Sequence, residues 1–495
     1  MRTNEPTTKL GISPSAEPTP FSRGLVARRN GSAEAVQAVR DSMLGVSERE
    51  STLVQSANVR PSMPETLNDH LPRPGRWTAG NRLHLLENGE QYYSAVLNAI
   101  ESSQSEVLIE TFILFSDEVG HALRAALIRA AQRGVKVVIT VDGYGSPDLT
   151  PEFVGAMTAC GIDFRYFDPR PRVCGRRTNS FKRLHRKLVI VDQKHAFVGG
   201  LNFSIEHLAA YGADAKQDYA LQIYGPLVKH VHVLACALLN EQPMPPARPW
   251  WRGRAEQPPG HLKPGQGASA KLIWRDNHHH QDDIDIHYRH AIRRARHNVT
   301  IANAYFFPSY RIIRELRRAA RRGVNVTLIL QGRNDHALAA WAARALYTHL
   351  IQSGVRIFEY TRRRLHAKVA VIDGHWATVG SSNLDPTSLS LNLEANVVVD
   401  DAEFANALQK SLHTLLVKHC ERVGPDTQHS QPAWRRMVGY LVFHLTRLIP
   451  AWSRILPVRY QPVASANLST TEDGPSKDGA PHQLAGLSDN STSSK

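Results

Sequence analysis

His185-Arg186-Lys187-Leu188-Val189-Ile190-Val191-Asp192, followed by Gly199 and Asn202, has a second copy in His366-Ala367-Lys368-Val369-Ala370-Val371-Ile372-Asp373, followed by Gly380 and Asn383. In both copies lysine stands two residues after histidine, aspartate seven, glycine fourteen and asparagine seventeen. A lone histidine before an apolar run is more often a structural residue. Two copies with every interval kept mark an internal duplication instead.

Each copy enters an apolar run from a basic loop, which predicts the start of a buried strand. Side chains alternate along a strand, so His185 and Lys187 share a face, as do His366 and Lys368. A neutral imidazole beside a fixed ammonium suits attack on a phosphodiester. The imidazole supplies the nucleophile or the proton, and the lysine stabilises charge on the phosphoryl oxygens. Asn202 and Asn383 follow a Gly-Gly and a Gly-Ser pair, where they are placed to donate to phosphate, with Ser381 beside the second. Asp192 and Asp373 complete the motif's set of site residues; their position after a strand favours organising a turn over chemistry.

The surroundings repeat as well. Helical periodicity over 91–102 and 121–133 alternates with apolar strands over 107–114, 135–141 and 161–167. The same order returns as helices 284–296 and 312–322 and strands 299–307, 324–330 and 354–360. Arg133-Gly134-Val135 and Arg322-Gly323-Val324 are matching helix ends. This is an α/β chain: two lobes, each with a mixed sheet flanked by helices. The expected organisation is a disordered tail over 1–75, a first lobe over 76–240 and a Pro/Gly-rich linker over 241–267. A second lobe covers 268–425, a basic amphipathic segment 426–463 and a disordered tail 464–495. In the linker, Trp250-Trp251 either packs on the body or touches a membrane interface.

The chain of 495 residues carries a net charge of +15, with a pI near 9.8. Its partners are therefore anionic: phospholipid head groups, nucleic acid or phosphorylated metabolites. Four scattered cysteines argue against a disulfide framework. Neither a signal peptide nor an apolar run long enough to cross a bilayer is legible.

HxKxxxxD followed by a glycine-rich asparagine segment, twice in one chain, resembles the phospholipase D superfamily over residues 80–425. The resemblance implies two lobes meeting at a pseudo-twofold active site, with one histidine from each and no metal or organic cofactor. It implies a ping-pong reaction in which one histidine forms a phosphohistidine and the other protonates the leaving alcohol, then deprotonates the acceptor. By analogy His185 is the nucleophile and His366 the general acid/base. The family orients each histidine with a carboxylate, for which Glu394 and Asp218 are the candidates. Glu110, in an apolar strand, is expected to line the cleft, with Asn303 as its repeat counterpart.

Asn303-Ala-Tyr-Phe-Phe-Pro308, Gln331-Gly-Arg-Asn-Asp-His336, Gly380-Ser-Ser-Asn-Leu-Asp-Pro386 and Ser390-Leu-Asn-Leu-Glu394 are similar to bacterial cardiolipin synthases. Trp274-Arg-Asp-Asn277 is more similar to the B type. The resemblance implies phosphatidyl transfer between anionic phospholipids, phosphatidylglycerol first and phosphatidylethanolamine as a further candidate. Peripheral attachment to the cytoplasmic face of the inner membrane goes with it. A phosphodiesterase or nuclease of the same fold is the rival reading, since basic charge also serves DNA or RNA; nucleic acid is disfavoured because stacking aromatics near the motifs are not obvious. Basic residues abut both motifs, at 170–187 and in Arg362-Arg363-Arg364. A helix over 434–449, apolar on one face with Arg435, Arg436 and Arg447 on another, suits either an acidic lipid surface or packing on the body. His278-His279-His280 tempts a metal reading, but contiguous histidines in a regular element cannot all face one ion.

Overall fold

The computed structural model describes residues 75–169, 172–173, 176–177, 182–242, 244, 266–332, 346–424, 441 and 463–466. The linker tryptophans, most of 170–181, the phrase after Gly332, the 434–449 segment (Leu441 apart) and both tails beyond these ranges lie outside the described residues.

In the first repeat the strands are β1 (Thr78–Glu87), β2 (Glu106–Thr111), β3 (Lys136–Asp142), β4 (Asp163–Phe167), β5 (Leu188–Val191), β6 (His195–Gly199) and β7 (Tyr219–Tyr224). The second supplies β8 (Ala268–Arg275), β9 (Asn298–Asn303), β10 (Asn325–Gln331), β11 (Arg356–Tyr360), β12 (Lys368–Ile372), β13 (Trp376–Gly380) and β14 (Glu394–Asp400). Two edge strands follow, β15 (Cys420–Arg422) and β16 (Val463–Ser465). All sixteen form one sheet in the order β15-β11-β10-β9-β12-β13-β14-β8-β1-β7-β6-β5-β2-β3-β4-β16. Read outward from the central β8–β1 pair, the two halves have the same order. The duplication seen in the motifs is therefore a duplication of sheet topology.

Helices α1 (Asn88–Glu101), α2 (Glu118–Gln132) and α3 (Pro151–Thr158) cover one face of the first lobe. Helices α5 (Asp283–Arg294) and α6 (Tyr310–Arg321) cover the matching face of the second. Helices α4 (Leu227–Leu239) and α7 (Ala402–His419) pack on the opposite face, where one apolar core runs through both lobes. The local rules hold at the ends. Asp117 accepts the Gly120 N–H at the start of α2 and Ser309 that of Ile312 at the start of α6. Gly134 and Gly323 follow at φ 86° and 88°, a conformation glycine adopts freely. On α6, Ile312, Ile313, Leu316 and Ala319 are buried while Arg311, Arg314, Arg318 and Arg321 are exposed, so most of the helix's arginines form a solvated face.

Two expectations change here. The boundary drawn at residue 464 falls inside β16, which pairs Val463 with Phe167 and Ser465 with Arg165 on the first lobe's outer edge. The repeat alignment also shifts by one. Glu106 pairs with Lys136 and Asn298 with Asn325 in equivalent strands, so the counterpart of Glu110 is Ala302 and that of Asn303 is Thr111. Strands buried on both faces carry no alternation to fix this phase.

Candidate active site

Each histidine sits just before a buried strand and is held by backbone from the other repeat. The His185 N–H donates to Leu393 O at 3.0 Å, and the His366 N–H to Gln217 O at 2.8 Å. Short parallel contacts, Leu184 with Leu393 and Leu365 with Gln217, complete the exchange. Leu393 and Gln217 immediately precede Glu394 and Asp218, so the ladders deliver each carboxylate to the histidine of the opposite lobe. Glu394 Oε1 and Oε2 lie 2.9 and 3.0 Å from His185 Nδ1. Asp218 Oδ2 lies 2.5 Å from His366 Nδ1. With each Nδ1 turned to a carboxylate, Nε2 is the nitrogen left for a reacting phosphorus or oxygen.

Lys187 and Lys368 fold back onto their own histidines. Lys187 Nζ donates to His185 O at 2.7 Å, and Lys368 Nζ to His366 O. Lys368 Nζ is also 2.9 Å from His366 Nδ1. That nitrogen cannot both donate to Asp218 and accept from lysine. The shorter contact with the carboxylate assigns its proton toward Asp218, leaving the carbonyl to the lysine.

Asn202 Oδ1 accepts the Ile113 N–H at 3.2 Å, which leaves its amide NH2 uncommitted to that bond. The buried Oδ1 of Asn383 has no partner among the described residues. Four predicted site residues make structural contacts of their own. Asp192, at φ 51°, takes the N–H groups of Gln104, Ser105 and Glu106; Asp373, also at 51°, takes those of Arg296, His297 and Asn298. Both lock the turn after their strand to the start of β2 or β9, the structural role that their position favours. Ser381 Oγ donates to Glu394 Oε2 at 2.5 Å and accepts the Ala395 N–H at 3.1 Å, so it orients a carboxylate rather than substrate. Glu110 is committed to a buried ion pair: its Oε2 is 2.8 Å from Arg186 Nε.

Positioning groups escaped the sequence reading. Asp142 accepts the Leu184 N–H at 2.7 Å and Gln331 the Leu365 N–H at 2.8 Å. They end the equivalent strands β3 and β10 and fix the residue before each histidine. Arg275, buried, donates to Asn392 O at 2.6 Å and to Ser390 O, tying down the approach to Glu394. Gln331 and Arg275 stand in the family-like phrases without a role that the sequence assigns, and Asp142 has only the signal of a polar residue closing an apolar strand. The triple histidine forms a turn: Asp276 collects the three main-chain N–H groups, and His280 Nδ1 lies 2.8 Å from Asp283.

Burial dominates the electrostatics. It pulls His185 down to about 4 against the opposing pull of Glu394, and with Lys368, Lys216 and Lys187 it pushes His366 well below its usual value. Both imidazoles are therefore neutral at rest. Burial also lowers Lys187 to about 7 and Lys368 to about 8. The carboxylates differ. Burial raises Asp218 despite Lys368. It also pushes Glu394 up, but His185, Lys187 and the Ser381 hydroxyl outweigh it and leave that group below the usual range.

Two neutral imidazoles, two lysines and two carboxylates in one buried constellation can divide a phosphodiester exchange into nucleophilic and proton-transfer halves. The model for the cardiolipin synthase, phospholipase D-like domain matches residues 96–233 and 288–416, one segment in each repeat. Cardiolipin synthase B of Escherichia coli (strain K12) is 51% identical over 381 residues, covering 77% of this chain and 91% of that protein. Cardiolipin synthase A of Pseudomonas fluorescens (strain SBW25) is 32% identical over 378 residues, 73% of this chain and 76% of that one. Among solved structures, the phosphatidylserine synthase of Haemophilus influenzae Rd KW20 aligns at a TM-score of 0.55 and 11% identity, over 76% of this chain and 94% of that one, a likeness of fold. With both repeats matched and half of the aligned residues shared with such a relative, the chain belongs to the phospholipase D-like cardiolipin synthase family.

Proposed function

We propose that this enzyme makes cardiolipin by moving a phosphatidyl group from one phospholipid to the hydroxyl of another, with phosphatidylglycerol as donor. The observation that carries this reading is the exchanged pairing of His185 with Glu394 and His366 with Asp218 at one site. His185 Nε2 attacks phosphorus, and the bond to the leaving glycerol oxygen breaks as His366 gives that oxygen a proton. The acceptor hydroxyl then passes its proton to His366 and attacks phosphorus, breaking the phosphorus–nitrogen bond. Glu394 remains ionised beside His185 and stabilises the cationic phosphohistidine. Lys187 and Lys368 hold the non-bridging oxygens. The anionic phosphodiester, in turn, restores their charge and raises His366 toward a value at which it carries a proton.

Among the described residues no helix is long and apolar enough to cross a membrane. The reading places the enzyme peripherally on anionic lipid at the cytoplasmic face of the inner membrane, drawn by its charge of +15. The test is purified protein with labelled phosphatidylglycerol in vesicles, alone and with phosphatidylethanolamine. Cardiolipin should form, and should vanish in both His185→Ala and His366→Ala. Turnover of DNA, RNA or bis(p-nitrophenyl) phosphate without lipid transfer would overturn the reading in favour of a nuclease or phosphodiesterase.

A further inference from the structure

His207, outside the duplicated motif, is fully buried beside the site. It ends a one-turn 3-10 helix (Ile205–His207) that Ser204 caps through the Glu206 N–H. Its Nε2 accepts the Asn202 N–H at 3.3 Å, which fixes the tautomer: a nitrogen accepting from a main-chain amide leaves the proton on Nδ1. Nδ1 itself is buried and has no hydrogen-bond partner among the described residues. The ring stands edge-on to His366, with centroids 5.6 Å apart.

This contact has no equivalent in the other half. Asn202 and Asn383 are repeat partners, and five residues further on the second repeat has Ser388 where the first has His207. Ser388 donates its N–H to Asp385 within its own turn. His185 instead meets Phe112 edge-on at 5.1 Å, from its own lobe. Each reacting imidazole is thus braced by one ring, an apolar one for His185 and a hydrogen-bonded one for His366. Asp218 fixes His366 at Nδ1 alone, and a single hydrogen bond still allows the ring to tilt. A second contact, against the ring itself, removes that freedom. Burial pushes His207 well below its usual value, so it adds no cation beside a group that must itself gain a proton.

We propose that His207 is a positioning residue for His366, holding its ring edge-on while anchoring the Asn202 turn. The inference rests on the reading of His366 as general acid/base. Protonating the leaving oxygen matters for glycerol and matters little for p-nitrophenolate, so phosphatidylglycerol and phosphatidyl-p-nitrophenol separate this role from overall folding. His207→Gln keeps an acceptor for the Asn202 N–H and removes the ring. Its kcat on phosphatidylglycerol should fall by about tenfold to a hundredfold, with KM within about threefold of the parent. Its rate of adduct formation from phosphatidyl-p-nitrophenol should stay close to the parent's. His207→Phe restores an edge-on ring and should recover part of the loss. Equal losses on both substrates, no loss on phosphatidylglycerol, or a Phe variant slower than the Gln variant would each overturn the inference. His366→Ala runs alongside: if the p-nitrophenyl substrate does not rescue it, the assignment of His366 fails, and the inference with it.

Discussion

Gly200 lies so close to Asp218 that a Cβ on it would stand 2.4 Å from both carboxylate oxygens. The equivalent residue, Ser381, instead donates its hydroxyl to Glu394. What reads in sequence as neutral variation between Gly200 and Ser381 is a pairing of each residue with its own carboxylate. Gly200→Ser should push Asp218 off His366 and lower cardiolipin formation about a hundredfold. Ser381→Ala removes one hydrogen bond to a charged group and should cost about tenfold. Initial rates on phosphatidylglycerol check both, and a Gly200→Ser enzyme at parental rate would show that the His366–Asp218 geometry is dispensable.

Glu394→Gln keeps an acceptor for His185 Nδ1–H but removes the charge that stabilises the phosphohistidine. The rate of labelled adduct formation should drop by about a hundredfold to ten-thousandfold. Asp218→Asn should be the milder variant when the donor is phosphatidyl-p-nitrophenol, because that substrate needs little help from His366. Rapid quench of the labelled adduct measures both, and the reverse ranking would exchange the roles of the two histidines.

The His–Lys spacing and the repeated element order were legible because both are local, set by period-two alternation and by helix ends at Gly134 and Gly323. Glu394 and Asp218 were legible as carboxylates but not in their partnership, since 209 and 148 residues separate them from the histidines they hold. Only the cross-lobe ladder through Leu393 and Gln217 decides which meets which. The displacement of Glu110 has another cause. Residues Val107–Thr111 are all buried, so hydrophobicity gives that strand no inward or outward phase, and its pairing with β5 sets it. Asp142 and His207 carry no motif at all, and Gln331 only opens a family-like phrase; they matter through the backbone groups and rings beside them.

Arg186 and Glu110 form a buried ion pair in the first lobe where the second has Ala367 and Ala302. Burial raises Glu110 to about 7 even with Arg186 beside it. Arg186→Met alone strands the carboxylate and should cost about 3–5 kcal/mol. Adding Glu110→Leu removes the stranded group and should bring stability back to within about 2 kcal/mol of the parent. Urea denaturation of the two singles and the double tests this, and simple additivity would show that the residues are not coupled.

The buried lysines predict opposite trends for activity and stability on the alkaline side. Lys187 is lowered to about 7 and Lys368 to about 8, whereas an unfolded lysine titrates near ~10.4. In the free enzyme both lose charge as pH rises past these values, and with it their hold on the phosphodiester. The kcat/KM profile should therefore fall above about pH 7–8. Its acid limb should lie near 4, where His185 gains the proton that blocks attack. For folding the sign reverses. Between pH 7 and about 9 the unfolded chain binds more protons than the folded one at these two sites, so they make stability rise with pH. Comparing pH 7 with pH 9, Lys187→Met should show a smaller gain in Tm than the parent enzyme. A parent whose kcat/KM holds flat to pH 10, or a Lys187→Met enzyme with an unchanged gain, would mean that Lys187 keeps its charge at rest.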